Sequence, residues 1–319
     1  MWSSGNLQHY ARDARSVHCL RHGNPVLARQ LHSRLIANRM KAAREGTMQA
    51  FDVTSADGLK LAGYVHGKAD GPEILFIHGF NQCALSWTKQ TADPAMRGEF
   101  RMVAFDLRGH GSSGKPVGRD QYDADKLWAD DVAAVIKAAA LKRPVVVGWS
   151  YAGRVITDYL RAHGNKGISG INFVAALTKS DPTMMGPALK ASGDMASEDL
   201  VRNIEATRIF LRACFERQPT QDEFESMLAF NMVNPASVRA CVRGRPPNPG
   251  DLLTTIDVPV LVTHGTKDQI VLDTMGKFTA AVVTGAKLSE YEDIGHAPFW
   301  EDAPRFNREL AEFVRSAWR

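Results

Sequence analysis

The sequence predicts an α/β protein: a mostly parallel sheet with helices on both faces and a helical insertion between two of its core strands. Three observations carry this reading. A strand pair joined by a tight turn is followed by strands that alternate with helical stretches, the pattern of crossover units. Those strands are apolar throughout instead of at every second residue, as strands covered on both faces must be. Residues 179–250 then break the alternation, with no convincing strand. A length of 319 residues suits one large domain with an insertion.

Taken in order, QAFDVTS and LKLAGYVH flank Asp57-Gly58, a hairpin turn signal. PEILFIHG, FRMVAFD and RPVVVGW read as buried parallel strands. Between the last two, residues 123–139 place Leu127, Val132, Val135 and Ile136 on one helical face. A helix over 152–163 follows RPVVVGW. ISGINFVAAL and VPVLVTHG are two further buried strands, AKLSEYED is the last, and residues 302–316 form a closing amphipathic helix. The core is thus 48–178 with 251–319. Inside 179–250 the pattern gives helices at about 197–216, 220–231 and 235–242, bounded by Pro182, Pro187 and the run RPPNPG. A proline-bounded helical insertion between core strands reads as a cap over a site.

Residues 1–47 stand apart. Up to residue 46 they hold eight of the 39 basic residues but only Asp13 and Glu45 of the 35 acidic ones, leaving 31 basic and 33 acidic residues for the body. The net charge of +4 therefore belongs to the leader, and a nearly neutral body argues against a nucleic-acid partner. The leader lacks the apolar region of a secretory signal. Its Arg-rich, acid-poor composition also fits an organellar transit peptide. We read it as an extension outside the fold, or as a start upstream of the true one, with Met40 and Met48 as alternative starts. Cys19, Cys83, Cys214 and Cys241 are scattered with no CxxC pair, which points to a reducing compartment and a cytoplasmic protein. No apolar run reaches the roughly 18–20 residues that span a bilayer. The oligomeric state is not legible.

The chemistry centres on Gly148-Trp149-Ser150-Tyr151-Ala152-Gly153, directly after a strand and directly before a helix. This is the context of a nucleophile elbow, a strained turn that needs small residues on either side of the serine. Gly148 meets that need. Ala152 replaces the usual glycine with the next smallest residue. A serine hydroxyl needs a base, and the base needs an acid to orient it. Asp268 follows the strand VPVLVTHG, and His296 follows the last strand, so the chain order is Ser150, Asp268, His296. Asp181 is a second, weaker choice of acid. An oxyanion requires two N–H donors; the backbones of Tyr151 and Phe80, in His78-Gly79-Phe80-Asn81, are placed to supply them. His78 is read as orienting that loop.

Gly109-His110-Gly111-Ser112-Ser113-Gly114 matches GxGxxG and nearly a phosphate-binding loop. Pro116 stands where the latter needs Ser or Thr, and no helix opens there, so nucleotide binding is not expected. No metal-ligand spacing occurs, and no cofactor is called for.

His78-Gly79-Phe80, Asp106-Leu107-Arg108-Gly109-His110-Gly111-Ser112-Ser113, the elbow, Gly265-Thr266-Lys267-Asp268 and Gly295-His296 together resemble the α/β-hydrolase superfamily over roughly residues 48–319 outside the insertion. The likeness is greatest to the branch of small serine esterases, lactonases and cofactor-free haloperoxidase-like perhydrolases. It implies an eight-stranded sheet. Relatives that open epoxides or remove halides carry aspartate at the elbow, whereas this chain has Ser150. Epoxide hydrolases also use cap tyrosines, and none lies between Tyr159 and Tyr291. Carbon–carbon bond hydrolases usually have a Gly-rich oxyanion loop, unlike HGFN.

The expectation is therefore hydrolysis of an ester or lactone through an acyl-enzyme. The alternatives are perhydrolysis, carbon–carbon cleavage on the same triad, or a receptor built on the hydrolase fold. Expected pocket walls are Phe80, Trp149, Tyr151, Phe299 and Trp300 from the core and Met184, Met185, Phe210, Phe230 and Met232 from the insertion. No charged residue marks an ionic substrate, so the expected ligand is small and neutral.

Overall fold

A computed structural model describes residues 48–318; the extension read over 1–47 lies outside the described residues. Eight strands form one sheet in the order β1-β2-β4-β3-β5-β6-β7-β8. They are β1 (Gln49–Thr54), β2 (Lys60–Gly67), β3 (Glu73–Ile77), β4 (Arg101–Phe105), β5 (Val145–Trp149), β6 (Gly170–Val174), β7 (Val260–Gly265) and β8 (Lys287–Tyr291). β2 pairs antiparallel with β1 and with β4; every pairing from β4 to β8 is parallel. The class and strand count expected from the sequence hold.

Local chemistry accounts for the elements. At the β1–β2 turn Gly58 adopts φ +85°, and the Asp57 side chain accepts the Leu59 N–H at 3.1 Å. All residues of β3, β5, β6 and β7 are buried, so both faces of the sheet centre are covered. β8 is different: only Tyr291 is buried, as befits an edge strand.

The covering helices are α1 (Asp125–Ala138) and α2 (Ala152–His163) before the insertion. Within it run α3 (Leu200–Ala213), α4 (Gln221–Met232) and α5 (Ala236–Arg243), followed after β7 by α6 (Asp273–Val282) and α7 (Ala303–Ala317). The buried face of α1 differs from the expected one. Leu127 and Ile136 are only half-buried, while Trp128 and Asp131 join Val132 and Val135 inside. The aromatic ring displaces the aliphatic side chains, and Asp131 is buried because it is paired.

Its partner is Arg108, fully buried on the loop after β4. The guanidinium is bidentate to Asp131, at 2.7 Å and 2.8 Å, and reaches Asp57 at 3.1 Å and the Gln121 carbonyl at 2.8 Å. This ties the hairpin, the post-β4 loop and α1 together. Removing one member strands a buried charge. Asp131→Ala should therefore cost about 3–5 kcal/mol of stability in urea unfolding; a cost below about 1 kcal/mol would mean that Arg108 finds solvent or another partner.

Candidate active site

Ser150 lies between β5 and α2 with φ +56°, a left-handed conformation that costs a non-glycine residue roughly 1–3 kcal/mol. Backbone bonds hold it there: the Ser150 N–H donates to Val174 O at 2.9 Å, and Ser150 O accepts from Gly153 at 2.9 Å and Leu177 at 2.8 Å. The spacing rule of the elbow is visible sterically. A Cβ on Gly148 would collide with Ile156 and lie 3.1 Å from the Ala152 methyl; one on Gly153 would lie 2.9 Å from Ala176 Cβ and Leu177 O. Gly148 thus makes room for alanine at 152, and Gly153 carries the close approach to the strand.

The loop after β3 packs against the Ser150 turn: a Cβ on Gly79 would come 3.1 Å from Ser150 Cβ. Among the described residues, neither the Phe80 nor the Tyr151 backbone N–H donates to a protein acceptor. The loop is positioned by two buried histidines. His78 donates from Nδ1 to Gly79 O at 2.8 Å and accepts the Leu107 N–H on Nε2 at 3.0 Å. His110 donates from Nδ1 to Arg108 O at 2.8 Å and accepts the Asn81 N–H on Nε2 at 3.2 Å. Each imidazole is thereby fixed neutral in one tautomer.

On the far side, His296 Nδ1 lies 2.6 Å from Asp268 Oδ2, and His296 Nε2 is buried without a hydrogen-bond partner. Asp268 Oδ1 accepts the Ile270 and Val271 N–H groups at 2.8 Å and 3.0 Å. Burial alone would raise the Asp268 pKa. The electrostatic attraction of His296, with hydrogen bonds from His264 and His296, outweighs it and holds the carboxyl at about 2. His264 is a member that sequence reasoning missed: its Nε2 is shared between Asp268 Oδ2 at 3.1 Å and Val271 O at 2.9 Å. Its place four residues before Asp268 was the available signal. Asp181, the weaker alternative acid, pairs with Lys179 at 3.2 Å and caps Thr183 instead.

A cavity of about 220 Å³ opens at Ser150. Phe80, Tyr151 and Phe210 line it, as the sequence reading has it, and the Phe80 and Phe210 rings meet edge-to-face at 6.2 Å. Trp149, Phe230, Phe299 and Trp300 line a separate void of about 10 Å³. Trp149 points away because successive strand residues face opposite sides of the sheet. Its indole donates to His296 O at 2.8 Å, and its ring meets Phe299 edge-to-face at 4.9 Å, so it supports the histidine loop. Met184 lies outside the Ser150 cavity and packs on the core, its carbonyl accepting the Leu272 N–H at 3.0 Å. Met185 lines a neighbouring groove, and Met232 lies against Arg239, 3.6 Å from Sδ to Nη2.

The expectation of an uncharged pocket is corrected. Arg154, Arg243 and Arg245 all line the cavity, with Leu177, Leu189, Val242, Ile270 and Val271 as its apolar walls. Arg154 sits one helical turn past Ser150 on α2, the one signal that was available. Arg243 and Arg245 come from the end of the insertion, which no local pattern ties to the elbow.

The phosphate-loop motif also finds its physical reason. Gly111, at φ +46°, wraps the Asp106 carboxylate, which a Cβ there would strike. The Ser112 N–H donates to Asp106 at 2.8 Å and the Gly111 N–H to Asn234 at 3.1 Å. These donors are committed to protein oxygens.

This chain belongs to the alpha/beta hydrolase family, whose profile matches residues 74–309. It is similar to the solved structure of a candidate aryl esterase from Burkholderia cenocepacia, 37% identical with a TM-score of 0.79 over 84% of this chain and 99% of that one. Esterase RhEst1 from Rhodococcus sp. ECU1013 is 32% identical, with the same TM-score of 0.79, over 84% of this chain and 99% of its own. A bifunctional esterase/perhydrolase from Acinetobacter calcoaceticus is 28% identical over 298 residues, 83% of this chain and 99% of that protein. These relatives fall in the esterase and perhydrolase branch that the sequence resembles. Among the described residues no helix is long and apolar enough to cross a membrane, and Cys83, Cys214 and Cys241 are free thiols.

Burial holds the pKa of His78 at about 4 and that of His110 at about 3, against 6.5 for an ordinary histidine. Below pH 6.5 the unfolded chain therefore binds protons that the folded chain refuses. Stability is full above pH 6.5 and falls between there and about pH 4, by up to about 1.4 kcal/mol per pH unit for each histidine. The urea midpoint should drop between pH 7.5 and pH 5. His110→Gln should be less stable at pH 7.5 but show a shallower pH dependence; parallel profiles for the two proteins would contradict a neutral His110.

Proposed function

We propose that this protein is a serine hydrolase that cleaves a carboxylic ester or lactone of a small substrate through an acyl-enzyme intermediate. The observation that carries the reading is the 2.6 Å bond between His296 Nδ1 and Asp268, which leaves Nε2 buried and unpartnered on a loop carried by Trp149, the neighbour of Ser150. Names of the relatives support the ester-hydrolase class.

In this mechanism Ser150 attacks the carbonyl and His296 Nε2 takes its proton. Asp268 holds the imidazole with Nδ1–H directed at itself and stabilises the imidazolium as it forms. The Phe80 and Tyr151 N–H groups receive the oxyanion, and the N-terminus of α2 adds its partial positive charge. His296 then protonates the leaving alkoxide and activates the water that releases the acyl group. A cavity of about 220 Å³ lies below the roughly 300 Å³ at which ligand sites ordinarily begin, which suits a small substrate. The insertion acts as the cap over this cavity, and the free thiols suit a reducing, cytoplasmic setting.

A second reading, perhydrolysis, has one specific observation in its favour: the similarity to the Acinetobacter calcoaceticus esterase/perhydrolase. It uses the same groups, with hydrogen peroxide replacing water in deacylation. Peracid formation from acetate and peroxide separates the two readings.

Hydrolysis of p-nitrophenyl acetate, butyrate and octanoate should be fastest for the shorter chains. Ser150→Ala should lower kcat by about 10⁴-fold or more, and Asp268→Asn by on the order of 10³–10⁴-fold. If Ser150→Ala keeps wild-type rates while its circular dichroism is unchanged, the nucleophile lies elsewhere, and a receptor role for the fold gains ground.

A further inference from the structure

The charges around the Ser150 cavity do not balance. Arg245 is buried; its Nη2 reaches Asp158 at 2.9 Å and Asp125 at 2.8 Å, and its Nη1 donates to the Tyr151 hydroxyl at 2.9 Å. Arg154 is also buried and bonds to Asp125 at 3.2 Å. Two arginines and two aspartates thus offset each other. Both Nε atoms, of Arg154 and Arg245, are nevertheless buried with no partner.

Arg243 is the third cation and has no such counter-charge. It ends α5, and its Nη1 donates to Ser192 Oγ at 2.6 Å. The Ser192 hydroxyl donates its own hydrogen bond to Leu189 O at 2.6 Å, so it is a neutral acceptor. Among the described residues no carboxylate lies within ion-pair distance of Arg243. Asp181, on the adjoining groove of about 570 Å³, is committed to Lys179 and Thr183. Burial pushes the guanidinium below its usual pKa, with no anion to offset the cost. Arg243 nevertheless lines both the Ser150 cavity and the groove, which also share Leu177, Ser180 and Leu189 as walls. One half-buried cation, four N–H donors to spare and an apolar channel to a nucleophilic serine together form a receptor for an anion on a hydrocarbon spacer.

We propose that Arg243 binds a carboxylate carried by the substrate itself. The preferred substrate class is then an acidic ester: the half-ester of a short dicarboxylic acid, or a lactone bearing a carboxylate. The carbonyl under attack sits at Ser150, the spacer lies along Leu177, Leu189 and Val242, and the acid group meets the Arg243 fork. A monoanion matches the single uncompensated charge. This inference rests on the serine-hydrolase reading above and names the substrate for that site.

The test compares esters that differ only in the terminal group: monomethyl succinate, glutarate and adipate against methyl butyrate, pentanoate and hexanoate, followed by pH-stat. Wild type should prefer the acidic ester of at least one pair. Arg243→Met should lower the acidic-to-neutral ratio of kcat/KM by about 10–100-fold, mostly through KM, and Arg243→Lys should restore part of it. A wild type with no acidic preference, or an unchanged ratio in Arg243→Met, overturns the proposal. Titration calorimetry of glutarate into Ser150→Ala gives a readout without turnover; binding should vanish in Ser150→Ala/Arg243→Met. Glutarate binding that survives in that double variant also overturns the proposal. If instead Ser150→Ala hydrolyses the neutral esters at wild-type rates, the serine-hydrolase reading fails, whatever calorimetry says of Arg243.

Discussion

The left-handed backbone of Ser150 is the constraint on which the rest of this molecule is built. A serine does not adopt φ +56° on its own account. It is held by one bond to the end of β6 and two from the chain that follows it. β6 is held in turn by β7, through the bond from Ala175 N–H to Thr263 O at 2.8 Å, and Ala175 is itself left-handed, at φ +43°. The strain at the serine is therefore borne by the sheet centre, where every residue of β3, β5, β6 and β7 is buried. Such a sheet is the part of a protein that opens last. A side chain placed there is held in one position without further ordering.

Around this fixed point the polar groups of the insertion are locked to the core. Asn81, next to Phe80 and also left-handed at φ +61°, donates to Asn231 at 2.8 Å and accepts from Asn234 at 3.0 Å. Arg239 then gathers the carbonyls of Asn231 and Asn234 with the side chain of Thr207. On the opposite side the His296 N–H donates to Cys214 O at 3.0 Å, and Glu301 accepts from Gly295, Glu216 and Arg217 at 3.0, 3.0 and 2.8 Å. The loops that carry Phe80 and His296 are thus hydrogen-bonded to the insertion as well as to the core. A buried network of this kind is costly when any member is lost. The helices between β6 and β7 accordingly hold these two loops in place, besides walling the cavity.

What could be read from the sequence follows from the range of the interactions concerned. The elbow at Ser150, the strands around it and the helix after it are local patterns: small residues at fixed offsets, apolar runs and a change of period. The pair of Asp268 and His296 is 28 residues apart, yet each falls just beyond a strand of a parallel sheet, so the topology brings them to the same edge. The pocket was legible only in part. Phe80, Tyr151 and Phe210 line it, but Trp149, Phe230 and Phe299 do not, because hydrophobicity alone does not say which side of a strand or helix faces a cavity. His264 and the Asn81–Asn231–Asn234 cluster join residues through contacts that no spacing rule encodes.

The arginines show the same limit in electrostatic form. A nearly neutral body and a pocket full of apolar candidates argued for an uncharged ligand, and summed charge is indeed a fair guide to long-range fields. At the scale of one cavity it says little, because a salt bridge such as Arg245–Asp158 contributes nothing to the sum while fixing the geometry of the wall. What matters locally is which charge is left after pairing, and pairing is decided by tertiary structure. Arg154 and Arg245 are matched by Asp125 and Asp158, whereas Arg243 is matched only by a hydroxyl. An unpaired cation in a partly desolvated wall is unfavourable for folding, and a ligand that supplies an anion there gains an ion pair that the fold itself does not make. The site would therefore gain selectivity from a charge that the fold leaves uncompensated, while the apolar walls contribute binding without discriminating among chains of similar length.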